Sequence, residues 1–369
     1  MSKISFAAIL LLFACLSATA QTPAAKPTPT PAEDEEIIKV ESRLVVVPVS
    51  VTDSAGQPVT GLTAKSFNLS EDGRRQEIAE ISAAEKVPLE IALLFDVSAS
   101  TDSMFQFQLE TAAQFLKEVM RPEDKATIFT VGARAVMVQA RDTAEKAQIS
   151  IRTIQSTKEY TAFYDSVNTA AHYLGTNAPL GTRKVIVVIS DGEDTNSDGV
   201  KKAFDDLYRR MGKKIDTMTN AESLEMHAKT RDAVRISEQS NTMRKLQNAD
   251  TVFYSINPAG SSFHLNQISQ FGQSNMQKFA DETGGTAFLP KFAPIDLKDA
   301  LQNSFNMRKN QEVLARIFRQ LANELQAQYL VQYYSEGDFP ANKYVKLNVE
   351  LSQPQKHRVR ARQGYFVKN

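Results

Sequence analysis

The sequence predicts an α/β fold: an open, doubly wound, mostly parallel sheet with one antiparallel edge strand, joined to a β-sandwich-like region built from the two flanks of the chain. Three observations predict it. Between residues 88 and 328, short and nearly continuous apolar runs alternate with segments of helical periodicity. One pair of runs is separated by a turn too short for a crossover. On either side of this stretch the patterning switches to short alternating runs broken by turn residues, as in antiparallel strands.

Taken in order, residues 1–20 have the layout of a secretory signal: Lys3, an apolar stretch over 6–16, then Ala18-Thr19-Ala20 before Gln21. Export to the periplasm or the extracellular space is the expected fate. The stretch is shorter than the roughly 20 residues of a spanning helix, and no later segment is long and apolar enough to be one. The one cysteine of the 369 residues, Cys15, lies inside this leader, so no internal disulfide is expected after cleavage. Leu12-Phe13-Ala14-Cys15 also loosely matches a lipoprotein box, which leaves a lipid anchor at Cys15 as the alternative to cleavage after Ala20; the bulky Phe13 fits that pattern poorly. Residues 21–36 are rich in Pro, Thr and Ala and end in Glu33-Asp34-Glu35-Glu36. They read as a disordered linker.

Residues 37–87 form the first β-rich flank, with strands over 44–51 and 67–70 and turns at Asp53-Ser54-Ala55-Gly56 and Glu71-Asp72-Gly73. Residues 329–369 form the second, with strands over 329–334, 344–351 and 359–367. Two or three strands leave a hydrophobic face uncovered, so the flanks are expected to pair with each other into one sandwich, the domain over 88–328 being inserted between them.

In that domain the buried strands are 89–95, 126–131, 184–189 and 251–256, continuous in hydrophobicity because both faces are covered. Residues 135–139 follow 126–131 after Gly132-Ala133-Arg134 and supply the antiparallel edge strand. Leu314, Ile317, Phe318, Leu321 and Leu325 fall on one helical stripe, the last helix lying on the sheet. Residues from about 203 to 248 are charged, helical in pattern and longer than a crossover requires, and read as a helical insertion. Their basic residues alternate with Asp205 and Asp206 as on a solvated face. Over the chain, Lys+Arg and Asp+Glu balance at 43 each, which favours neither nucleic acid nor an anionic membrane surface.

Ligands of open α/β sheets collect at the carboxyl ends of the strands. Two acidic loops leave there. Asp96 follows the first buried strand and opens Asp96-Val97-Ser98-Ala99-Ser100; Asp191 follows another and opens Asp191-Gly192-Glu193-Asp194. Two carboxylates and the hydroxyls of Ser98 and Ser100 suit a small hard cation, Mg²⁺ or Mn²⁺, and would roughly neutralise it, so that a further carboxylate could still be attracted. Glu193 and Asp194 read as exposed acids beside this pair.

Asp96-x-Ser98-x-Ser100 after one buried strand, with Ser190-Asp191-Gly192 after another, resembles the metal-ion-dependent adhesion site of the von Willebrand factor A (VWFA) family. The wider chain is similar to a VWFA-related subfamily typical of acidobacterial exported proteins. The resemblance implies that Ser98 and Ser100 touch the metal, and that Thr161 and an aspartate do so directly or through water. It also implies that an acidic group of a protein partner completes the shell. The family usually places a small residue before this threonine; here it is Tyr160.

The expected function is therefore metal-dependent capture of a protein partner by a chain that is likewise expected to be monomeric and not an enzyme. The alternatives are a structural interaction module with a degenerate, metal-free site and, with less support, a metal-dependent hydrolase. His172, His227, His264 and His357 lack ligand spacing, and no nucleophile elbow or phosphate-cradling loop occurs.

Overall fold

The computed structural model describes residues 43–98, 105–157, 159–260, 267–294, 299–353 and 356–367. The leader, Cys15 and the linker lie outside them. The first flank holds β1 (Arg43–Thr52), β2 (Phe67–Glu71), β3 (Arg74–Gln76) and β4 (Ile78–Ala83). The middle begins with β5 (Leu89–Asp96), α1 (Phe105–Val119), β6 (Lys125–Val131), β7 (Ala135–Asp142), α2 (Ala144–Arg152) and α3 (Phe163–Asn177). It continues through β8 (Arg183–Ile189), α4 (Asp198–Met211), α5 (Asn220–Asn248), β9 (Thr251–Ile256), α6 (Gln267–Thr283), β10 (Ala287–Phe288) and α7 (Ala300–Gln326). The second flank is β11 (Gln328–Ser335), β12 (Tyr344–Leu351), β13 (Arg358–Ala361) and β14 (Gly364–Phe366).

The central sheet has six strands in the order β10-β9-β8-β5-β6-β7. All its pairs are parallel except β6 with β7, the antiparallel edge that the short Gly132 turn demands. Arg141 of β7 reaches across to Glu90 of β5 at 2.6–2.9 Å through both Nε and a terminal nitrogen, which pins the edge strand to the sheet centre.

Continuous hydrophobicity in β5 and β8 serves two cores at once, because successive side chains point to opposite faces. Leu89, Ile91, Leu93 and Phe95 of β5, with Val185, Val187 and Ile189 of β8, pack under α1, α2 and α7. Ala92 and Leu94, with Ile186 and Val188, pack under α3, α5 and α6. The stripe Leu314, Ile317, Phe318, Leu321 and Leu325 lies in the first of these cores, as its spacing predicts.

The flanks interleave into two four-stranded sheets, β13-β1-β11-β4 and β14-β12-β2-β3, each taking strands from both ends of the chain. β1 and β11 are antiparallel with Val47 opposite Val331, and β2 and β12 are antiparallel with Leu69 opposite Val349. Between the sheets lies a third core of Val45, Val47, Val49, Val51, Phe67, Leu69, Val331, Val345 and Tyr365, among others. Glu71 is buried in it and accepts from Tyr333 Oη at 2.6 Å, Tyr365 Oη at 2.7 Å and Ser335 Oγ at 2.8 Å.

Two expectations are corrected. The single strand read over 359–367 is β13 and β14, which belong to different sheets. The break has a cause: the buried Arg362 donates to Asp250 and to the Gly364 carbonyl, and Gln363 N–H donates to the Glu282 carbonyl, so the α/β domain holds the chain there and prevents it from continuing as one strand. The insertion read over 203–248 starts earlier, at Asp198, and its end is not surplus. Met243 and Leu246 of α5 are core residues of the sheet's second face, so this helix is also the crossover into β9.

Candidate metal site

The register of β5 against β8 decides where the acidic loops meet. Phe95 is the partner of Ile189, so Asp96 and Ser190, the next residue of each strand, leave the sheet side by side. Ser190 Oγ donates to Asp96 Oδ2 at 2.5 Å. The other oxygen, Asp96 Oδ1, accepts the Ser98 amide at 2.9 Å, a turn that fixes Ser98 next to the carboxylate. On the second loop, Gly192 N–H donates to Ser190 Oγ at 3.0 Å and Glu193 N–H to Asp191 Oδ1 at 3.0 Å. Gly192 has φ of +76°, a backbone conformation open to glycine at little cost.

Asp96 is buried to 1% exposure and Asp191 to 8%. Burial, then the charge of Asp191, pushes the Asp96 carboxyl up to about 6, while the hydrogen bonds from Ser190 and Ser98 pull it down.

The loop carrying Thr161 is knitted to both others. Thr157 N–H donates to the Val97 carbonyl at 2.9 Å and Ala162 N–H to the Gly132 carbonyl at 2.8 Å. The Thr161 carbonyl accepts the amides of Thr195 at 2.9 Å and Asn196 at 3.0 Å, and its own N–H donates to Thr195 Oγ1 at 3.2 Å. Thr161 is 6% exposed, whereas its neighbour Tyr160 is 73% exposed at the rim. Asp96, Ser98, Thr161 and Asp191 therefore sit on loops bonded into one rim. Ser100, the fifth residue of the set, lies outside the described residues.

Glu193 and Asp194 are not the exposed acids expected. Asp194 is half-buried and accepts the Tyr164 amide at 2.9 Å and the Ser197 amide at 3.0 Å, so it serves the amino ends of α3 and α4 at once. Burial pushes its carboxyl up. Glu193 is half-buried and accepts from Ser269 Oγ of α6. Ser190, whose hydroxyl is bonded to Asp96, stands in the candidate site but not in the predicted ligand set. Its signal was its place between the apolar strand and Asp191.

The donor set fits a small hard cation. Hydroxyls stand beside the two buried carboxylates, and a divalent ion between them would offset their mutual repulsion, which after burial is the second cause of the raised Asp96 pKa. Among the described residues no group of three or more His, Cys, Asp or Glu side chains is placed to hold a metal, so any ion here depends on hydroxyl ligands as well as on the two acids.

Residues 91–193, from β5 to the Asp191 loop, match the family model of the von Willebrand factor type A domain. No curated protein matches the chain. Among solved structures it is similar to an aerotolerance-related membrane protein from Bacteroides fragilis, at 15% identity over 62% of this chain and 99% of that one, with a TM-score of 0.33. It is also similar to a von Willebrand factor type A protein from Catenulispora acidiphila, at 11% identity over 75% and 51%, with a TM-score of 0.38. A third likeness is to proximal thread matrix protein 1 of the mussel byssus, described with a zinc-occupied MIDAS motif, at 12% identity over 68% and 48%, with a TM-score of 0.39. The chain spans about half the length of these last two proteins. None of these likenesses transfers a ligand or a partner.

Proposed function

From the match of residues 91–193 to the von Willebrand factor type A family model, we propose that Asp96, Ser98, Ser100, Thr161 and Asp191 hold Mg²⁺ or Mn²⁺ and use it to engage an acidic side chain of a protein partner. The observation that carries this reading is the pair of buried carboxylates at the carboxyl ends of adjacent parallel strands, where burial and then the charge of Asp191 raise the Asp96 pKa. A cation bound there is only about neutralised by the two acids, so it keeps attraction for a third carboxylate brought by the partner. We read the chain as exported, with the leader removed or Cys15 lipidated. No helix among the described residues is long and apolar enough to cross a membrane.

We read the site as one that binds rather than hydrolyses. His227 is engaged on the helical hairpin by Tyr208 and Ser223, and His172 lies on α3. Among the described residues, Asp96 accepts from the Ser190 hydroxyl and the Ser98 amide.

Calorimetric titration of Mn²⁺ and Mg²⁺ at pH 7.5 should give one saturable site, and a partner captured from the native host should elute with chelator. Absence of saturation at millimolar metal would end the proposal. The pH dependence follows from the raised Asp96 pKa. Metal competes with a proton below about pH 6, so affinity should hold steady from pH 7.5 to 6.5 and then fall by roughly tenfold per unit. Titrations at pH 7.5, 5.5 and 4.5 check this; an affinity flat to pH 4.5 would show that Asp96 is not a ligand.

A further inference from the structure

The Asp191 loop is held from outside the three metal-site loops, by α6. Gly272 and Gly192 meet backbone to backbone. A Cβ built on Gly272 would stand 2.6 Å from the carbonyl carbon and oxygen of Gly192 and 2.8 Å from the Asp191 oxygen, and one built on Gly192 would stand 2.7 Å from the Gly272 oxygen. Neither position has room for a side chain. Two polar ties flank the contact: Ser269 Oγ donates to the Glu193 carboxylate, and Asn257 Nδ2 at the end of β9 donates to Gln273 Oε1 at 2.9 Å.

Helix α6 is tied in turn to α5. Gln239 Nε2 donates to Asn275 Oδ1 at 2.5 Å, and Asn275 Nδ2 donates to the buried Tyr164 Oη at 2.6 Å. Lys278 Nζ donates to Gln239 Oε1 at 3.0 Å, and the Arg235 guanidinium lies 5.0 Å over the Phe271 ring. Helix α6 thus touches the Asp191 loop through Gly272 and is bonded along a neighbouring flank to the crossover half of α5.

We propose that α6 is the positioning element of the metal site: the Gly192–Gly272 contact sets where the Asp191 carboxylate stands, and the α5 ties through Arg235 and Gln239 hold α6 against it. The inference rests on reading the Asp96–Asp191 pair as a metal centre and adds to that reading the element that controls its geometry. The physical reason is tolerance. Mg²⁺ requires near-octahedral oxygens at about 2.0–2.1 Å, so a displacement of well under an ångström in one ligand is felt, and a close-packed backbone contact transmits such displacements without slack. Gly272 is a positioning residue; it touches no metal.

The test is Gly272→Ala in the full chain, with Gly175→Ala on α3 as control, since a Cβ at Gly175 makes an ordinary 3.4 Å contact with Ala249 Cβ. In metal-free protein, hydrogen exchange over residues 189–197 should quicken about tenfold in Gly272→Ala and stay unchanged in the control. Mn²⁺ affinity should weaken at least tenfold in the first and not in the second. If Gly272→Ala does not fold, the double variant Ser269→Ala/Gln239→Ala, at two half-buried positions, should show about threefold effects in both readouts. Exchange and affinity within twofold of the unmodified chain, in whichever of these variants folds, overturn the proposal. A wild-type chain that takes no Mn²⁺ removes the metal reading instead, and the exchange result alone then judges the role of α6.

Discussion

Asp96→Asn should do two opposite things: abolish saturable Mn²⁺ binding and stabilise the metal-free protein at neutral pH. The first follows because one of the two anionic ligands is lost while its shape is kept. The second follows from the sign of the pKa shift. An Asp96 carboxyl moved from 3.8 to about 6 binds protons in the folded state that the unfolded state has already released between those values. The stability this confers is fully present below pH 3.8 and is lost as pH rises through 6, so above pH 6 the ionised, buried Asp96 costs the folded state about 3 kcal/mol. Asparagine cannot ionise. It keeps an oxygen to accept the Ser98 amide, and Ser190 can turn its hydroxyl to accept from the new amide group. Denaturant unfolding in the presence of chelator should therefore show Asp96→Asn ahead of the unmodified chain by about 3 kcal/mol at pH 7.5 and level with it near pH 4. An equal difference at both pH values would mean that ionisation is not its source.

Glu71→Ala should destabilise the protein by about 3 kcal/mol, an effect located in the sandwich. The buried carboxylate organises Tyr333, Tyr365 and Ser335 from β11, β14 and the end of β11, and so bridges both sheets. Burial and the bond to Glu71 push the Tyr365 hydroxyl up to about 12 and the Tyr333 hydroxyl higher still, which keeps both as donors at every physiological pH. Removing the acceptor strands three buried hydroxyls at about 1 kcal/mol or more each, partly offset by the relief of a buried charge. Tyr333→Phe, which deletes one donor and leaves two, should cost about 1 kcal/mol. Equilibrium unfolding in urea checks both; a loss below 1 kcal/mol for Glu71→Ala would show that the network contributes little.

Much of this fold was legible in the residues, and the reason is local. The strands β5 and β8 announce themselves because both of their faces are buried, and β7 because Gly132-Ala133-Arg134 is too short for anything but a hairpin. The loops of Asp96 and Asp191 were legible as neighbours because each follows such a strand. What escaped is what depends on a distant partner. The division of 359–367 is made by Asp250 and Glu282, far away in sequence, and nothing within that run marks it. The role of Asp194 needs the amino end of α3 to arrive beside it, and Gly272 reads along the chain only as a poor helix former until Gly192 is seen against it.

The interleaved flanks also fix an order of events in synthesis. Tyr333 donates to a Glu71 that is 262 residues away in sequence, and β1 finds its neighbour β11 only after the whole inserted domain has emerged. Until then Val45, Val47, Val49 and Val51, core residues of the finished sandwich, lack the β11 partner that covers them. Such a topology is slow to close and prone to sticking to its like. β1 therefore stays without this neighbour until residues 328–335 are made, and truncations before Gln328 should aggregate through β1 rather than merely lose a few strands.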